Sequence, residues 1–503
     1  MIGFRLCFYL LTVVLVLPAQ DVKEFEKKVT EFTLVNGLHF ILVERHEAPV
    51  VSFHTYVNAG SVYDPSGRTG IAHMFEHLAF KGTETIGTRN WAEEKKAMDA
   101  VEEVHDRLDA ERNKGDKADQ SRVETLQIQL KFAVDRAEKY VQPNEFRRIL
   151  EENGGMDLNA AASLDSAEYF CSLPSNRIEL WFLMESNRFL RPVFRQFYKE
   201  RDALLEEYRQ QVESKPQGML LQSLRSTAFV THPYKNPTGG WPKDIANLRR
   251  ADARAFLEKY YVPANMAIAI VGDVNVAEVR RMAERYFGPM QSKPLPPALH
   301  TQEPPQVEPM VAAVVDSPTQ PMAAVAYKRP DQYDKDDAVF DVIQLILSNG
   351  RTGLLYKEMV EDKRLSATAQ AVATFPDGRY PNLFVFFLAP SPGHTAEENE
   401  KGLDDLLARF KAEPVDEETL QRAKTQAKAG ALRKLSGNSG LAKLLALYYA
   451  SYGDWRKMFI SLDQLGKVTA EDVGRVAQRY FVPANRTLAH TAPSRPPGAG
   501  GRQ

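Results

Sequence analysis

Tyr260-Tyr261-Val262-Pro263-Ala264-Asn265 returns 220 residues further on as Tyr480-Phe481-Val482-Pro483-Ala484-Asn485. The likeness runs upstream, where Ala251-Asp252 and the helical run behind it answer to Glu471-Asp472 and a similar run. Downstream, each copy leads into an apolar strand, Met266 to Val271 in the first and, more weakly, Thr487 to His490 in the second. A helix, a proline turn and a strand closing each half point to two homologous domains of roughly 200 residues, spanning 22–287 and 310–495. Between them Gly288 to Pro309 holds seven prolines and few apolar residues, the composition of an extended linker. Residues 496–503 read as a flexible tail.

Working back from the first copy, Phe32 to Leu34 and Leu38 to Val43 flank Asn36-Gly37, a strong hairpin signal. Val50 to Val57 is a third, β-branched run. Helical patterns follow around His73, from Asn176 to Leu190 and from Phe197 to Val212. The second half repeats the order, with strands near Val311 to Val315 and Met322 to Tyr327, then a helix from Lys335 to Ser348. The fold class is α+β: two homologous domains, each a mixed β-sheet with helices packed on one face.

Trp91 to Tyr140 has no counterpart in the second half. Met98, Val101, His105 and Leu108 keep a 3-4 spacing, as do Leu126, Leu130, Ala133, Ala137 and Tyr140, and Lys114-Gly115-Asp116 breaks the two runs. This predicts an inserted antiparallel helical hairpin over 91–140 with arms of about 30 Å. Packing on its own domain and docking to a partner are equal alternatives for its role.

At 503 residues, with 44% hydrophobic and 26% charged residues, the composition is that of a globular, multidomain chain. A net charge of −2 without a basic run gives no footprint for nucleic acid. Arg5, the apolar run Leu6 to Leu17 and Ala19 read as a secretory signal over residues 1–19, which implies a periplasmic or exported bacterial protein. The run is shorter than a comfortable span of about 20 residues, so no membrane span is expected after its removal; an uncleaved anchor is the alternative. Cys7 falls in the signal, which leaves Cys171 alone and the mature chain without an internal disulfide.

The chemistry concentrates in His73-Met74-Phe75-Glu76-His77. On a helix, residues 73 and 77 lie one turn apart on one face, with 76 beside them. Two imidazoles at that spacing can hold one Zn²⁺, and the carboxylate between them can reach a water on it. The order is H-x-x-E-H, the inverted zincin arrangement. A catalytic zinc needs a third protein ligand, and with one thiol in the mature chain a carboxylate is the candidate. The run Tyr198 to Tyr208 offers Glu200 and Glu207, seven apart and so on one face; one can bind the metal while the other orients a ligand or water. His54, His105 and His300 show no ligand spacing.

These residues resemble the insulinase/pitrilysin-type inverzincin metallopeptidases, in the half-length branch that includes bacterial peptidases and mitochondrial processing peptidase. The marks are Gly70 through Thr83, Leu158-Asn159-Ala160, Glu200 through Glu207, His232-Pro233-Tyr234 and the two Val-Pro-Ala-Asn repeats. The resemblance implies His73, His77 and Glu207 as ligands of one Zn²⁺ per chain, Glu76 as general base and Glu200 behind the ligands. It makes Asn159 and Ala160 part of an edge strand on which an extended peptide substrate is held. The interval from His77 to Glu207 exceeds the family's usual one, and the hairpin accounts for the excess.

The resemblance is incomplete in one place. The family's Arg and Tyr from the C-terminal half fall on Val360 and Ala367, and Arg364 is near but out of register. An incomplete oxyanion site costs orders of magnitude in rate. The expectation is therefore a zinc endopeptidase acting on peptides or short unfolded segments in a closed chamber, as the catalytic subunit of a heterodimer. A homologous zinc-less subunit would supply the Arg/Tyr pair. The alternative is a catalytically silent peptide-binding or assembly subunit of the same fold.

Overall fold

A computed structural model describes residues 19–312, 315–317 and 321–493. The signal reading, Ala19 apart, and the flexible tail lie outside the described residues. Among the described residues no helix is long and apolar enough to cross a membrane.

Two sheets organise the chain. The first contains β1 (Val29–Thr33), β2 (His39–Glu44), β3 (Val50–Val57), β4 (Met156–Ala162), β5 (Ala167–Pro174) and β6 (Met266–Gly272), in the order β1-β2-β6-β3-β5-β4. The second contains β7 (Met310–Val311), β8 (Val315–Ser317), β9 (Ala323–Arg329), β10 (Ser366–Phe375), β11 (Asn382–Pro390) and β12 (Arg486–Pro493), in the order β10-β11-β9-β12-β7, with β8 also on β12. In the first sheet β2 runs parallel to β6, and in the second β7 and β8 run parallel to β12; the other pairings are antiparallel. The last strand of each half thus inserts between earlier ones, β6 between β2 and β3 and β12 between β7 and β9, so that the order β2-β6-β3-β5-β4 is repeated as β7-β12-β9-β11-β10.

The repeated hexapeptide closes both halves by the same device. Asn265 donates its side-chain amide to the Tyr260 carbonyl at 2.8 Å, and Asn485 does so to Tyr480 at 3.2 Å. Each asparagine satisfies a carbonyl orphaned at the helix end, and the proline before it prevents the helix from continuing. The Asn36-Gly37 turn docks on the first copy: Gly37 has φ +97°, and a Cβ there would lie 3.1 Å from that of Ala264. Asn36 donates to the carbonyls of Phe287 and Met290, pinning the turn to the end of the same half.

Each half's own helices cover one face of its sheet, as expected. The opposite faces are closed by exchange. Leu441, Ala442, Leu445 and Ala446 of the helix Asn438–Tyr452, from the second half, pack on Ile41, Val43, Tyr56, Ala269 and Val271 of the first sheet. Reciprocally, Leu220, Leu224 and Ala228 of the helix Pro216–Ala228 pack on Ala324, Ala326, Leu383, Val385 and Ala489 of the second. Every residue of β6 is therefore buried, Ile268 and Ile270 toward one layer and Ala269 and Val271 toward the other.

The inserted hairpin consists of Trp91–Arg112 and Gln120–Glu138, capped by the side chains of Asn90 and Asp119. Leu108, Val123 and Leu126 form a small core near its tip, and Ile128 and Phe132 remain exposed. Its base packs on the helix Phe197–Tyr208, where Tyr198 donates to Glu102 and stacks on His105, and Gln196 donates to Glu138. The segment after residue 288 is largely without regular structure but is anchored by Glu303, which accepts from the amides of Val230, Thr231 and His232.

Candidate metal centre

The helix Ile71–Leu78 buries Ile71, Ala72, Met74, Phe75 and Leu78, so its open face carries His73, Glu76 and His77. It starts at Gly70, whose φ of +94° suits glycine and whose missing Cβ would otherwise lie 2.5 Å from the Gly239 carbonyl oxygen. The cap comes from a distance: Asp64 accepts from the amides of Gly70 at 2.6 Å and Ala72 at 3.0 Å. Burial pushes the Asp64 carboxyl up to about 8, against the pull of those two amides.

The helix Phe197–Tyr208 lies against it, with Phe197, Tyr198 and Leu204 turned into the core. This brings one Glu207 oxygen to 3.8 Å from His73 Nε2 and 3.7 Å from His77 Nε2, while Glu76 Oε2 lies 3.6 Å from His73 Nε2. The two rings are nearly perpendicular, at 85°, with centroids 4.9 Å apart. Such separations are too long for hydrogen bonds. They approach the roughly 3.4 Å between neighbouring ligands of a tetrahedral ion with bonds of about 2.1 Å. His73 Nδ1 is buried without a hydrogen-bond partner among the described residues, while Nε2 is the nitrogen that faces Glu76 and Glu207. Among the described residues His73, Glu76 and His77 are the one cluster of ligand type close enough to hold an ion. Two imidazoles and a carboxylate on such spacing fit zinc.

The electrostatics divide the site. Burial, and then the charge of His77, lowers His73 to about 4, which leaves it neutral as a ligand must be. Burial also works against the charge on His77, but the hydrogen bond to Glu200 and the carboxylates of Glu76, Glu200 and Glu207 outweigh it and raise its pKa. Burial raises Glu76 above the usual carboxylate range, with Glu207 adding to the effect and His77 and Arg188 opposing it. Glu200 accepts from His77 Nδ1 at 3.3 Å and from Lys81; these donors overcome its burial and lower its pKa.

Asn159 and Ala160 lie on β4, the strand at the edge of the first sheet. Leu158 and Ala160 point inward and Asn159 outward, past an irregularity in the β4–β5 pairing where Asp157 has φ +53°. Asn159 lines an open cleft of about 790 Å³ with Glu76, His77, Phe80, Lys81 and Glu200. In the second half Val360 packs against the core, Ala367 is exposed on β10, and Arg364 is exposed at the turn before it.

Sequence reading missed three supports of this site. Lys81 holds Glu200; its place four residues after His77 was the available signal. Asp64 sits in a Pro-Gly loop before the helix, where a cap is to be sought. Arg188 had no signal: its guanidinium lies over Phe80, Phe146 and Tyr169 at 4.5–4.8 Å and donates to the Ala79 carbonyl at the end of the His73 helix.

Comparison with known proteins bears on this geometry. A sequence model described as Insulinase (Peptidase family M16) matches residues 39–103 and 130–240, and one described as Peptidase M16 inactive domain matches 247–427. The break in the first match falls within the hairpin. The zinc protease PqqE of Helicobacter pylori is 26% identical over 472 residues, covering 92% of this chain and 92% of its own. A probable mitochondrial-processing peptidase subunit beta of Arabidopsis thaliana is 22% identical over 485 residues, covering 93% and 78%. The crystal structure of a protease from Helicobacter pylori superimposes with a TM-score of 0.77 at 25% identity, covering 93% of this chain and 100% of that one. The two matches are to models of one family and together take in more than two thirds of the sequence, and on that ground the chain belongs to the M16, insulinase-type, peptidase family.

Proposed function

We propose that this protein is a zinc-dependent endopeptidase that hydrolyses peptides or short unfolded segments, with His73, His77 and Glu207 holding one Zn²⁺. The observation that carries this reading is the single Glu207 oxygen 3.8 and 3.7 Å from two imidazole nitrogens, with Glu76 beside them. The bound ion supplies Lewis acidity and brings the pKa of a water toward neutrality. With the ion in place, Glu76 would take the proton from the attacking water and pass it to the leaving amine; burial raises its pKa, the direction a group that must also give up that proton needs. Glu200 and Lys81 fix the ring of His77. The free edge of β4 pairs with an extended substrate backbone, and Asn159 holds one of its polar groups.

Val360 and Ala367 stand where the family's Arg and Tyr are expected, so we assign this chain as the catalytic subunit of a heterodimer whose zinc-less partner completes a closed chamber. The same two positions favour the second reading, a silent peptide-binding subunit. Substituting Glu76→Gln separates them: the variant should retain zinc and lose cleavage of a peptide library by at least a thousandfold. Equal cleavage by both proteins refutes the peptidase reading. Full activity from the purified chain, shown to be monomeric or homodimeric, refutes the heterodimer. The N-terminal apolar run supports export to the periplasm, which fractionation with mass determination of the mature N-terminus would test.

A further inference from the structure

The connection between β10 and β11 of the second half enters the first half at the turn that joins β4 to β5. Asp165, in that turn, is 4% exposed and is gripped from both halves. It accepts from the Arg379 amide at 2.9 Å, and its two oxygens share the Tyr234 hydroxyl at 2.9 and 2.8 Å. In return the Asp165 amide donates to the Asp377 carboxylate at 3.2 Å. Around this centre the Arg379 guanidinium donates to the Asn58 side chain at 2.6 Å, and the Tyr380 amide donates to the Tyr234 hydroxyl at 3.3 Å.

The turn is already tied to its own half by the backbone. Ser61 and Val62 donate their amides to the carbonyls of Ser163 and Leu164 at 3.1 and 2.9 Å. Asp165 adds something else, a link to the other half. What it steadies is a strand in need of support. β4 has seven residues, lies at the sheet edge and shifts register against β5 between Met156 and Asn159. Near its start Arg147 donates to the Leu158 carbonyl at 3.0 Å. Just past its end stands Asp165. The stretch Asn159 to Ala162, with Asn159 and Ala160 on it, is thus braced on either side. An edge held straight before a peptide arrives need not be ordered on binding, and that saving appears as affinity.

We propose that Asp165 is a positioning residue, through which the second half holds the β4–β5 turn and keeps the β4 edge set for main-chain pairing with an extended peptide. The proposal rests on the reading of β4 as the strand that receives substrate. It gives the half without metal ligands a part in shaping the site.

The test uses the full, zinc-loaded chain carrying Glu76→Gln as reference, titrated calorimetrically with a heptapeptide of neutral side chains. A second ligand is the same peptide N-methylated on whichever set of alternate amides weakens binding to the reference, since those amides face β4. Adding Asp165→Asn keeps the side chain's size but turns one acceptor into a donor that faces donors. It should weaken the unmodified peptide about tenfold and the methylated one less than about twofold, because the latter has already lost the pairing. Tyr234→Phe, which keeps the ring and removes one donor to Asp165, should show the same pattern at about threefold, and it serves if the first variant folds poorly. The His73 helix keeps its Asp64 cap in both variants, so zinc affinity by chelator competition should be unchanged. Equal losses for the two peptides, or no loss, overturn the proposal. So does a reference protein indifferent to methylation in either phase, or a fall in zinc affinity, which would make Asp165 a support of the metal helix instead. None of these touches the peptidase reading, which cleavage by the unsubstituted chain tests separately. A chain that pairs with the peptide through β4 and never cleaves it would sink that reading and leave this one standing.

Discussion

Removing Asp64 tests whether the zinc helix is held from outside itself. Ile71–Leu78 has eight residues, too few for a helix to persist in water without tertiary support. Gly70 supplies no side chain to its N-terminus, and one carboxylate serves two amides there, at 2.6 and 3.0 Å. In Asp64→Ala both amides lose their partner in a buried place. At about 1–3 kcal/mol for each unsatisfied group, the expected loss is about 2–6 kcal/mol. Asp64→Asn should recover less than half, since its amide nitrogen would face one of the two donors. Because His73 and His77 ride on this helix, part of the loss should appear as weaker metal binding: about 1.4 kcal/mol of it spent on re-forming the helix would lower zinc affinity tenfold. Denaturant unfolding of the zinc-free proteins and competition with a chromogenic chelator give the two numbers. A stability change below about 0.5 kcal/mol together with unchanged zinc affinity would refute the reasoning.

Three further outcomes follow from the packing. Leu445→Ala empties a fully buried position where the exchanged helix meets β3 and β6; it should cost about 3–5 kcal/mol and raise hydrogen exchange in β6, in the other half of the chain. Exchange raised only in the second half would contradict the helix exchange. Glu303→Gln should lower stability at neutral pH and converge with the unsubstituted protein in acid. The amides of Val230, His232 and Thr231, with Lys328, hold the Glu303 carboxyl below its usual range in spite of its burial. Its contribution is thus present above about pH 4.5 and lost as pH falls through the depressed folded value, which thermal melts from pH 7 to pH 3 would show. His105→Ala strips a buried ring from Tyr198 and Arg201 at the base of the hairpin. It should reduce stability by about 1–3 kcal/mol and zinc affinity severalfold, whereas replacing residues 111–122 by a short turn should leave zinc affinity unchanged. Equal effects of both changes on a chelator titration would argue against the hairpin as a brace for the Glu207 helix.

What could be read from the sequence was what local chemistry decides. The Val-Pro-Ala-Asn repeats were visible because an asparagine that caps the preceding helix and a proline that ends it are needed wherever this turn is made. The helix of His73 and His77 was visible because two side chains meant to meet one turn apart leave a fixed spacing. Periodicity also placed Glu200 and Glu207 on one face, but it could not separate them. Their different surroundings, Glu200 beside His77 Nδ1 and Lys81, Glu207 facing both Nε2 atoms, come from how the helix lies across its neighbour. The exchanged helices left no trace either. β6 reads as a continuous apolar run whether its second face is covered by a helix near in sequence or by one about 170 residues away, because burial selects for apolarity without recording the partner. The Phe197 to Val212 run stops being α-helical at Tyr208 and continues as a wider turn over Arg209–Glu213, a change to which hydrophobic spacing is blind.

The same distinction explains how two copies of one architecture came to differ. In the helix of His73 and its counterpart in the second half, Asp337–Leu347, the buried positions 71, 72, 74, 75, 78 and 79 and 339, 340, 342, 343, 346 and 347 are all apolar, although the residues themselves differ, because each helix packs against a sheet of the same topology. The three open positions carry no such load. There His73, Glu76 and His77 stand in one half and Asp341, Gln344 and Leu345 in the other, with Glu207 facing the first and Gln426, Ala427 and Gly430 facing the second. Packing therefore constrains the framework and leaves the open face free, so the candidate ligands His73 and His77 can stand in one half while Asp341 and Leu345 hold the same places in the other.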